Sequence, residues 1–145
     1  MSKHLEGLEK VIRGEIPPPP IAQLIGFQLV AAKHGEAVVE FDAGNKHANP
    51  MGTLHGGVLC DVADAAMGIA FASTLDDGES FTTLELKINF LRPVWNDRLR
   101  AVGKVVSRGK TVGMTECDIT NSNGAIVARS SSTCMVLRGE KAAGR

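Results

Sequence analysis

The stretch that decides the fold reads Asn49-Pro50-Met51-Gly52-Thr53-Leu54-His55-Gly56-Gly57 and continues through residues 58–72 as Val-Leu-Cys-Asp-Val-Ala-Asp-Ala-Ala-Met-Gly-Ile-Ala-Phe-Ala. Small side chains dominate residues 58–72, which predicts a helix that a β-sheet can approach closely on most sides. Asp64 lies between two alanines of this helix, so we expect a partly desolvated carboxylate, which is costly unless it is satisfied or used. The amides of Gly56 and Gly57 at the helix start are predicted to be free to hold a developing oxyanion, aided by the helix dipole.

Length and composition limit the classes of protein. The chain has 145 residues, enough for one domain, and its 16 basic and 16 acidic residues give no net charge and no basic block, so nucleic-acid binding is unsupported. No apolar run reaches the ~20 residues of a membrane helix, and the first residues lack an apolar signal core, so we expect a cytoplasmic protein. The three cysteines, Cys60, Cys117 and Cys134, are predicted to be buried reduced thiols, and no Cys/His spacing indicates a metal site.

Hydrophobic periodicity predicts a helix, two strands, a long helix and four strands. The predicted strands are residues 27–32, 36–41, 80–91, 98–108, 111–120 and 125–136. Short connections make the last three strands an antiparallel meander, so we expect an α+β fold with one curved sheet on one long helix. We divide the chain into an N-terminal helix and proline spacer (1–20), the main domain (21–138) and a flexible tail (139–145).

A second motif, Ile88-Asn89-Phe90-Leu91-Arg92-Pro93, joins the helix-entry motif and Asp64 in a recognisable order. Over roughly residues 20–137 the chain resembles a hotdog-fold acyl-CoA thioesterase of the phenylacetate-pathway type, the PaaI-like branch. The resemblance implies a sheet wrapped around the central helix and homodimers formed by edge-to-edge pairing of two sheets, often assembled further into homotetramers. It also implies active sites that contain residues of two subunits, an acyl-CoA substrate, and no metal or redox cofactor.

The resemblance assigns roles to residues of the helix and of the preceding loop. Asp64 matches the catalytic acid, as general base or nucleophile; the alternative is a buried structural Asp, and Asp61 is a competitor that we expect to cap or pair locally. Asn49 matches the amide that orients the substrate, although an ordinary loop Asn before a proline is the alternative. Gly56 matches the oxyanion amide, or alternatively a glycine needed only for a tight junction.

Two further candidates follow from position. His55 is given a supporting role beside the oxyanion amide, and nine residues at ~100° per residue place it on the opposite helix face from Asp64. The spacing therefore predicts a composite site, with Asp64 of one subunit facing Asn49 and Gly56 of another. Thr83 is chosen over its neighbour Thr82 as the hydroxyl that orients the acid or the water, with a plain β-favouring threonine as the alternative.

Binding contacts and competing functions complete the set of expectations. Arg92, Arg108 and Lys110 are candidates for the phosphates of coenzyme A, with solvated turn charges as the plainer interpretation. The acyl pocket is expected to be lined by Met67, Phe71, Phe81 and Phe90. Two other functions stay open: hydration or dehydration of an acyl thioester on the same fold, and a non-catalytic acyl-CoA-binding module.

Overall fold

The computed structural model describes all 145 residues. Its helices and strands are α1 (Lys3–Ile12), α2 (Pro20–Ile25), β1 (Phe27–Lys33), β2 (Glu36–Ala43), α3 (Gly56–Ala72), β3 (Ser80–Phe90), β4 (Asp97–Arg108), β5 (Val112–Thr120) and β6 (Ile126–Leu137). Each predicted strand is present with ends within two residues of the prediction. The six strands form one antiparallel sheet in the order β1-β2-β4-β5-β6-β3, so the predicted meander of the last three strands is confirmed. Helix α3 packs against the sheet, and the predicted α+β class is confirmed.

Helix α3 and the sheet approach closely because both present small residues at the contact. A Cβ added to Gly103 of β4 would lie 2.3 Å from the carbonyl oxygen of Ala66, so no larger residue fits there. On the helix, Met67 and Phe71 are fully buried against the sheet. The prediction that these two side chains line an open acyl pocket is therefore wrong: they form the core instead.

Strand β3 contains a β-bulge at Leu84, where the pairing with β6 shifts between Thr83 and Glu85. Beyond the bulge, Leu86 and Ile88 pack into the core. Because side chains alternate along a regular strand, Thr82 and Leu84 would then also point to the inner face. The extra residue reverses the alternation, so Thr83 points inward instead. Leu84 itself is exposed.

The two N-terminal helices pack against β1. Ser2 caps α1 by accepting a hydrogen bond from the backbone N–H of Leu5 (3.2 Å), and α2 ends at Gly26 in the left-handed region (φ 98°). The C-terminal segment contains a 3-10 turn over Gly139–Ala142. No helix combines the length and the apolar character that crossing a bilayer requires.

Candidate active site

Asn49 builds the loop that leads into α3. Its side-chain oxygen accepts hydrogen bonds from the backbone N–H groups of Met51 (2.9 Å) and Thr53 (3.2 Å), and its Nδ2 donates to Thr53 Oγ1 (2.9 Å). The turn chemistry considered as the alternative role of Asn49 is thus present. Because an amide nitrogen carries two hydrogens, one N–H of Asn49 has no partner in the chain.

His55 is the N-cap of α3. Its Nδ1 accepts a hydrogen bond from the backbone N–H of Gly57 (3.0 Å), so the prediction of a free Gly57 amide is wrong. The N–H of Gly56, in contrast, meets no acceptor within the chain. The Gly56 amide is therefore free, at the positive end of the helix dipole.

The ring of Phe90 covers Gly56. A Cβ added to Gly56 would lie 2.8 Å from Cζ of Phe90, so a larger residue at this position would displace the exposed Phe90 ring. A cavity of about 400 Å³ opens beside this contact, and its lining includes Asn49, Gly56, Phe90 and Arg92. We call it the helix-start cavity.

Asp64 lies at the middle of α3 and receives one hydrogen bond, from Thr83 Oγ1 to its Oδ1 (3.3 Å). Partial removal of water by neighbouring protein atoms raises the pKa of the Asp64 carboxyl; the Thr83 hydrogen bond opposes this rise, and the charge of Asp61 adds to it. The carboxyl belongs to no ion pair, and the residue remains exposed in the single chain although part of its hydration is lost. The structure thus brings Asp64 and Thr83 together, and the bulge at Leu84 explains why Thr83 and not Thr82 meets the acid.

Asp61, one turn earlier, differs from Asp64. It is exposed and makes no hydrogen bond or ion pair, so the expectation that it caps or pairs locally is wrong. The third residue of this face, Cys60, is only partly buried, in contrast to the predicted burial of all three cysteines; Cys117 and Cys134 are buried as expected.

Asp64 borders two depressions, and neither is lined by Asn49 or Gly56. One, of about 290 Å³, is lined by Thr83 and by the acidic side chains Asp61 and Glu85. The other, of about 280 Å³, is apolar, and we call it the apolar groove; its side chains come from Pro19, Ile21, Phe27, Ile69, Ala72 and Phe81. Within one chain, the helix-start cavity and the surroundings of Asp64 are therefore separate. This agrees with the prediction that His55 and Asp64 lie on opposite faces of the helix.

Sequence reasoning missed most of the apolar groove. Phe81 was predicted, but Ile21, Phe27 and Ile69 were not, because they come from three different elements. Ile69 follows Ala65, which also lines the groove, by four residues, so helical spacing was the available signal for this member of the groove.

The three cations proposed for coenzyme A lie apart. Arg92 borders the helix-start cavity, whereas Arg108 donates to Thr74 Oγ1 (3.0 Å), pairs with Glu79 (3.4 Å) and lies over the ring of Phe71. The backbone N–H of Arg92 donates to the carbonyl of Val127 on β6. Arg108 is level with Cys134 of β6, because Arg108 pairs with Gly113 of β5 and Gly113 pairs with Cys134. Seven residues at ~3.3 Å each separate Val127 from Cys134, so Arg92 and Arg108 lie roughly 23 Å apart along β6. Arg92 therefore does not share a site with Arg108 and Lys110 in one chain, and no three His, Cys, Asp or Glu side chains are placed to share a metal ion.

Known proteins with this architecture decide the family. The model of the thioesterase superfamily matches residues 51–128, which include the helix start, Asp64 and the bulged strand. The chain belongs to the thioesterase superfamily. This membership confirms the predicted resemblance to hotdog-fold thioesterases and the class of enzyme.

Individual relatives of this thioesterase-superfamily chain agree with the PaaI-like branch. The phenylacetic acid degradation-related protein of Ralstonia eutropha JMP134 is 31% identical with a TM-score of 0.80, over 88% of this chain and 98% of that one. The E. coli PaaI protein from the phenylacetic acid degradation operon is 26% identical with a TM-score of 0.81, over 91% and 94%. A 1,4-dihydroxy-2-naphthoyl-CoA hydrolase of Listeria monocytogenes is 28% identical over 83% of this chain and 98% of its own.

Proposed function

We propose that the protein hydrolyses an acyl-CoA thioester to a carboxylic acid and free coenzyme A, in a site that two subunits share. The observation that carries the proposal is Asp64: a carboxyl with a raised pKa, one oriented hydroxyl partner and no cation to neutralise it. A structural carboxylate is normally satisfied by ion pairs or several hydrogen bonds, whereas a base or nucleophile needs a lone pair that is not fully engaged.

In this mechanism Asp64 acts on the thioester carbonyl, either by removing a proton from the attacking water or by attacking the carbon itself. Thr83 donates to one carboxylate oxygen, which fixes the rotamer of Asp64 and leaves the other oxygen available. The raised pKa makes the carboxylate a better proton acceptor than a fully solvated Asp.

The helix start of another subunit supplies the complementary half. The free N–H of Gly56 stabilises the negative charge that develops on the thioester oxygen, and the remaining N–H of Asn49 holds the carbonyl or the water. His55 takes no direct part: by holding the Gly57 amide, it fixes the first turn of α3 and thereby the direction of the Gly56 N–H.

The free edge of β3 supports the proposed homodimer. This strand pairs with β6 on one side only and has no strand on the other, and Asp64 and Thr83 lie close to it. Pairing of β3 with β3 of a second copy would satisfy the open edge and bring a second helix start near Asp64. We extend this to a dimer or a dimer of dimers, in line with the sequence-based expectation.

The substrate itself divides into two parts. The apolar groove beside Asp64 suits the acyl group, and Arg92 at the helix-start cavity suits a phosphate of coenzyme A. Arg108 is already paired with Glu79, which favours a structural role, and Lys110 stays a candidate through the partner subunit. Because the relatives include a naphthoyl-CoA hydrolase and phenylacetic-acid-degradation proteins, aryl acyl groups are the first to test.

The test is a thiol-release assay with the purified protein on short, medium, long and aryl acyl-CoAs. We expect hydrolysis of at least one class, well above the rate measured with Asp64→Asn under the same conditions. Equal rates for the two proteins on every substrate would contradict the proposal.

A further inference from the structure

The inner face of the sheet carries buried polar side chains where an apolar core is expected. Thr115 of β5 and Ser132 and Cys134 of β6 are 0%, 1% and 0% exposed. Thr115 and Ser132 are directly opposed cross-strand neighbours, and Cys134 is opposite Thr83 of β3. Burying hydroxyl groups is costly unless they are hydrogen-bonded, so these residues call for a physical account.

These groups form a continuous chain of contacts that ends at Asp64. Thr115 Oγ1 lies 2.5 Å from Ser132 Oγ, and Ser132 Oγ lies 3.9 Å from Cys134 Sγ. Cys134 Sγ lies 3.9 Å from Thr83 Oγ1, which in turn lies 3.3 Å from Asp64 Oδ1. We call Thr115, Ser132 and Cys134, together with Thr83, the hydroxyl–thiol chain.

The ionised carboxylate fixes the direction of the hydrogen bonds. Asp64 can only accept, so Thr83 uses its single proton on Asp64 and must itself accept from the thiol of Cys134. Cys134 then accepts from Ser132, and Ser132 accepts from Thr115, whose hydroxyl also lies 3.5 Å from the backbone carbonyl oxygen of Ser132. All four groups donate toward the carboxylate, and such an aligned series strengthens each bond in it, although the two sulfur contacts are individually weak.

We propose that Thr115, Ser132 and Cys134 are positioning residues, which hold the Thr83 hydroxyl toward Asp64 and thereby stabilise the charged form of that acid. The kinetic consequence rests on the proposed thioesterase function, whereas the effect on the titration of Asp64 does not.

No cation lies near Asp64, so the hydroxyl–thiol chain is its main source of stabilisation in the charged form. The titratable groups that face Asp64 are Cys60 and Asp61 on α3, Glu85 on β3 and Cys134 on β6, and none of them is a cation. The Thr83 hydrogen bond is therefore what lowers the pKa of Asp64 against the rise caused by burial. Burial raises the pKa of the Cys134 thiol, so its proton is retained for donation at neutral pH.

The sequence offers a matched control for Cys134. Cys117 of β5 is equally buried (1% exposed), lies on the same inner face of the sheet and makes no hydrogen bond with its thiol. Replacing either cysteine with valine removes a thiol and leaves a similar volume, so the two variants share the packing change and differ in the link to Thr83. Cys134→Ser keeps a donor and an acceptor at the link.

The experiment measures the pKa of the Asp64 carboxyl by 13C NMR titration in the wild type, Cys134→Val, Cys117→Val and Cys134→Ser, and kcat and KM in parallel. For Cys134→Val we expect the pKa of Asp64 to rise by about 0.3–0.7 units, with kcat about two- to fivefold lower and KM unchanged. Cys117→Val and Cys134→Ser should titrate as the wild type does. Ser132→Ala breaks the chain one link further away and replaces Cys134→Val if that variant does not fold.

An Asp64 pKa that is the same in Cys134→Val, or in Ser132→Ala, as in Cys117→Val would overturn the proposal, because a purely structural thiol would behave in that way. A wild-type protein without hydrolytic activity would refute the proposed function instead, and the NMR titration would still decide on the hydroxyl–thiol chain.

Discussion

At the start of α3 the chain itself holds most of the polar groups, whereas in the middle of the helix it leaves the acid nearly alone. Asn49 makes three side-chain hydrogen bonds and His55 caps the helix, so that one N–H of Asn49 and the Gly56 amide are what remain to bind. Asp64 has one hydrogen bond and no cation. The helix start thus presents free N–H donors at the positive end of the helix dipole, and the middle of the helix presents a carboxyl group.

The two regions also differ in what they need from outside. The side-chain hydrogen bonds of Asn49 and His55 join residues within four positions of each other, although Phe90 of β3 also covers the helix start. Asp64 depends on Thr83, nineteen residues away, and on whatever covers its exposed side in an assembly. Changes in the two regions should therefore produce different kinetic and stability signatures.

The largest effect is expected at Asp64. Asp64→Asn keeps the shape of the side chain and removes its charge, and we expect kcat to fall by ~10²–10⁴-fold as is typical for loss of a general base, with more if Asp64 is the nucleophile. Asp61→Asn, one turn away on the same exposed side, is the matched control and should be nearly silent. Thiol-release kinetics on the best substrate check both; an inactive Asp61→Asn beside an active Asp64→Asn would reverse the assignment.

The helix start offers a way to separate substrate binding from loop building. Asn49→Ala should lower kcat by roughly 10²–10³-fold, as for the loss of one oxyanion-type donor. Thr53→Val removes the loop partner of Asn49 Nδ2 but keeps the amide, and we expect less than about a tenfold loss, since a typical net hydrogen bond is at stake. Equal losses in steady-state kinetics would show that Asn49 acts only by shaping the loop.

The contact of Phe90 with Gly56 predicts a smaller loss of kcat, which a second substitution should partly restore. In Gly56→Ala the new Cβ meets the Phe90 ring at 2.8 Å, which displaces the ring or the free amide and should lower kcat about tenfold. Adding Phe90→Leu removes part of the ring and should restore some of the rate. A double-mutant cycle measures this coupling, and additive losses would mean that the ring does not limit Gly56.

At Asp64, acidification should affect the activity and this residue's own contribution to stability in opposite directions. Activity falls as pH drops through the raised pKa of Asp64, because the carboxylate is protonated. An acid whose pKa is raised by folding favours the folded state at low pH and loses that contribution as pH rises through the folded pKa. Asp64→Asn should therefore give a slightly higher Tm at neutral pH and no gain below the ordinary pKa of Asp; an unchanged or lower Tm at neutral pH would contradict the raised pKa.

The fold could be predicted from the sequence because its signals are local. The small residues of α3, the glycine-rich entry and the alternating strands each restrict the backbone within a few residues. The edge position of β3 was not predicted, since pairing of β3 with β6 joins residues about fifty positions apart.

The site was predictable in part, for physical reasons that differ between residues. The helix periodicity placed His55 and Asp64 on opposite faces, but the capture of the Gly57 amide depends on the side-chain rotamer of His55, which no pattern encodes. The inward direction of Thr83 depends on the bulge at Leu84, where the alternation of inward and outward side chains shifts by one residue. The pairing of Arg108 with Glu79 is a contact across twenty-nine positions and left no local trace.

The central claim is that Asp64 of one subunit works with the helix start of another, and mixing two inactive variants tests it most directly. Asp64→Asn and Asn49→Ala are each expected to be nearly inactive alone. After the two are dissociated together and reassociated in equal amounts, a shared site predicts about one quarter of the wild-type rate, because half of the random dimers contain one intact site of two. A mixture no more active than its separate components, with mixed dimers shown by native mass spectrometry, would place Asp64 and Asn49 of the same chain in one site and contradict the account.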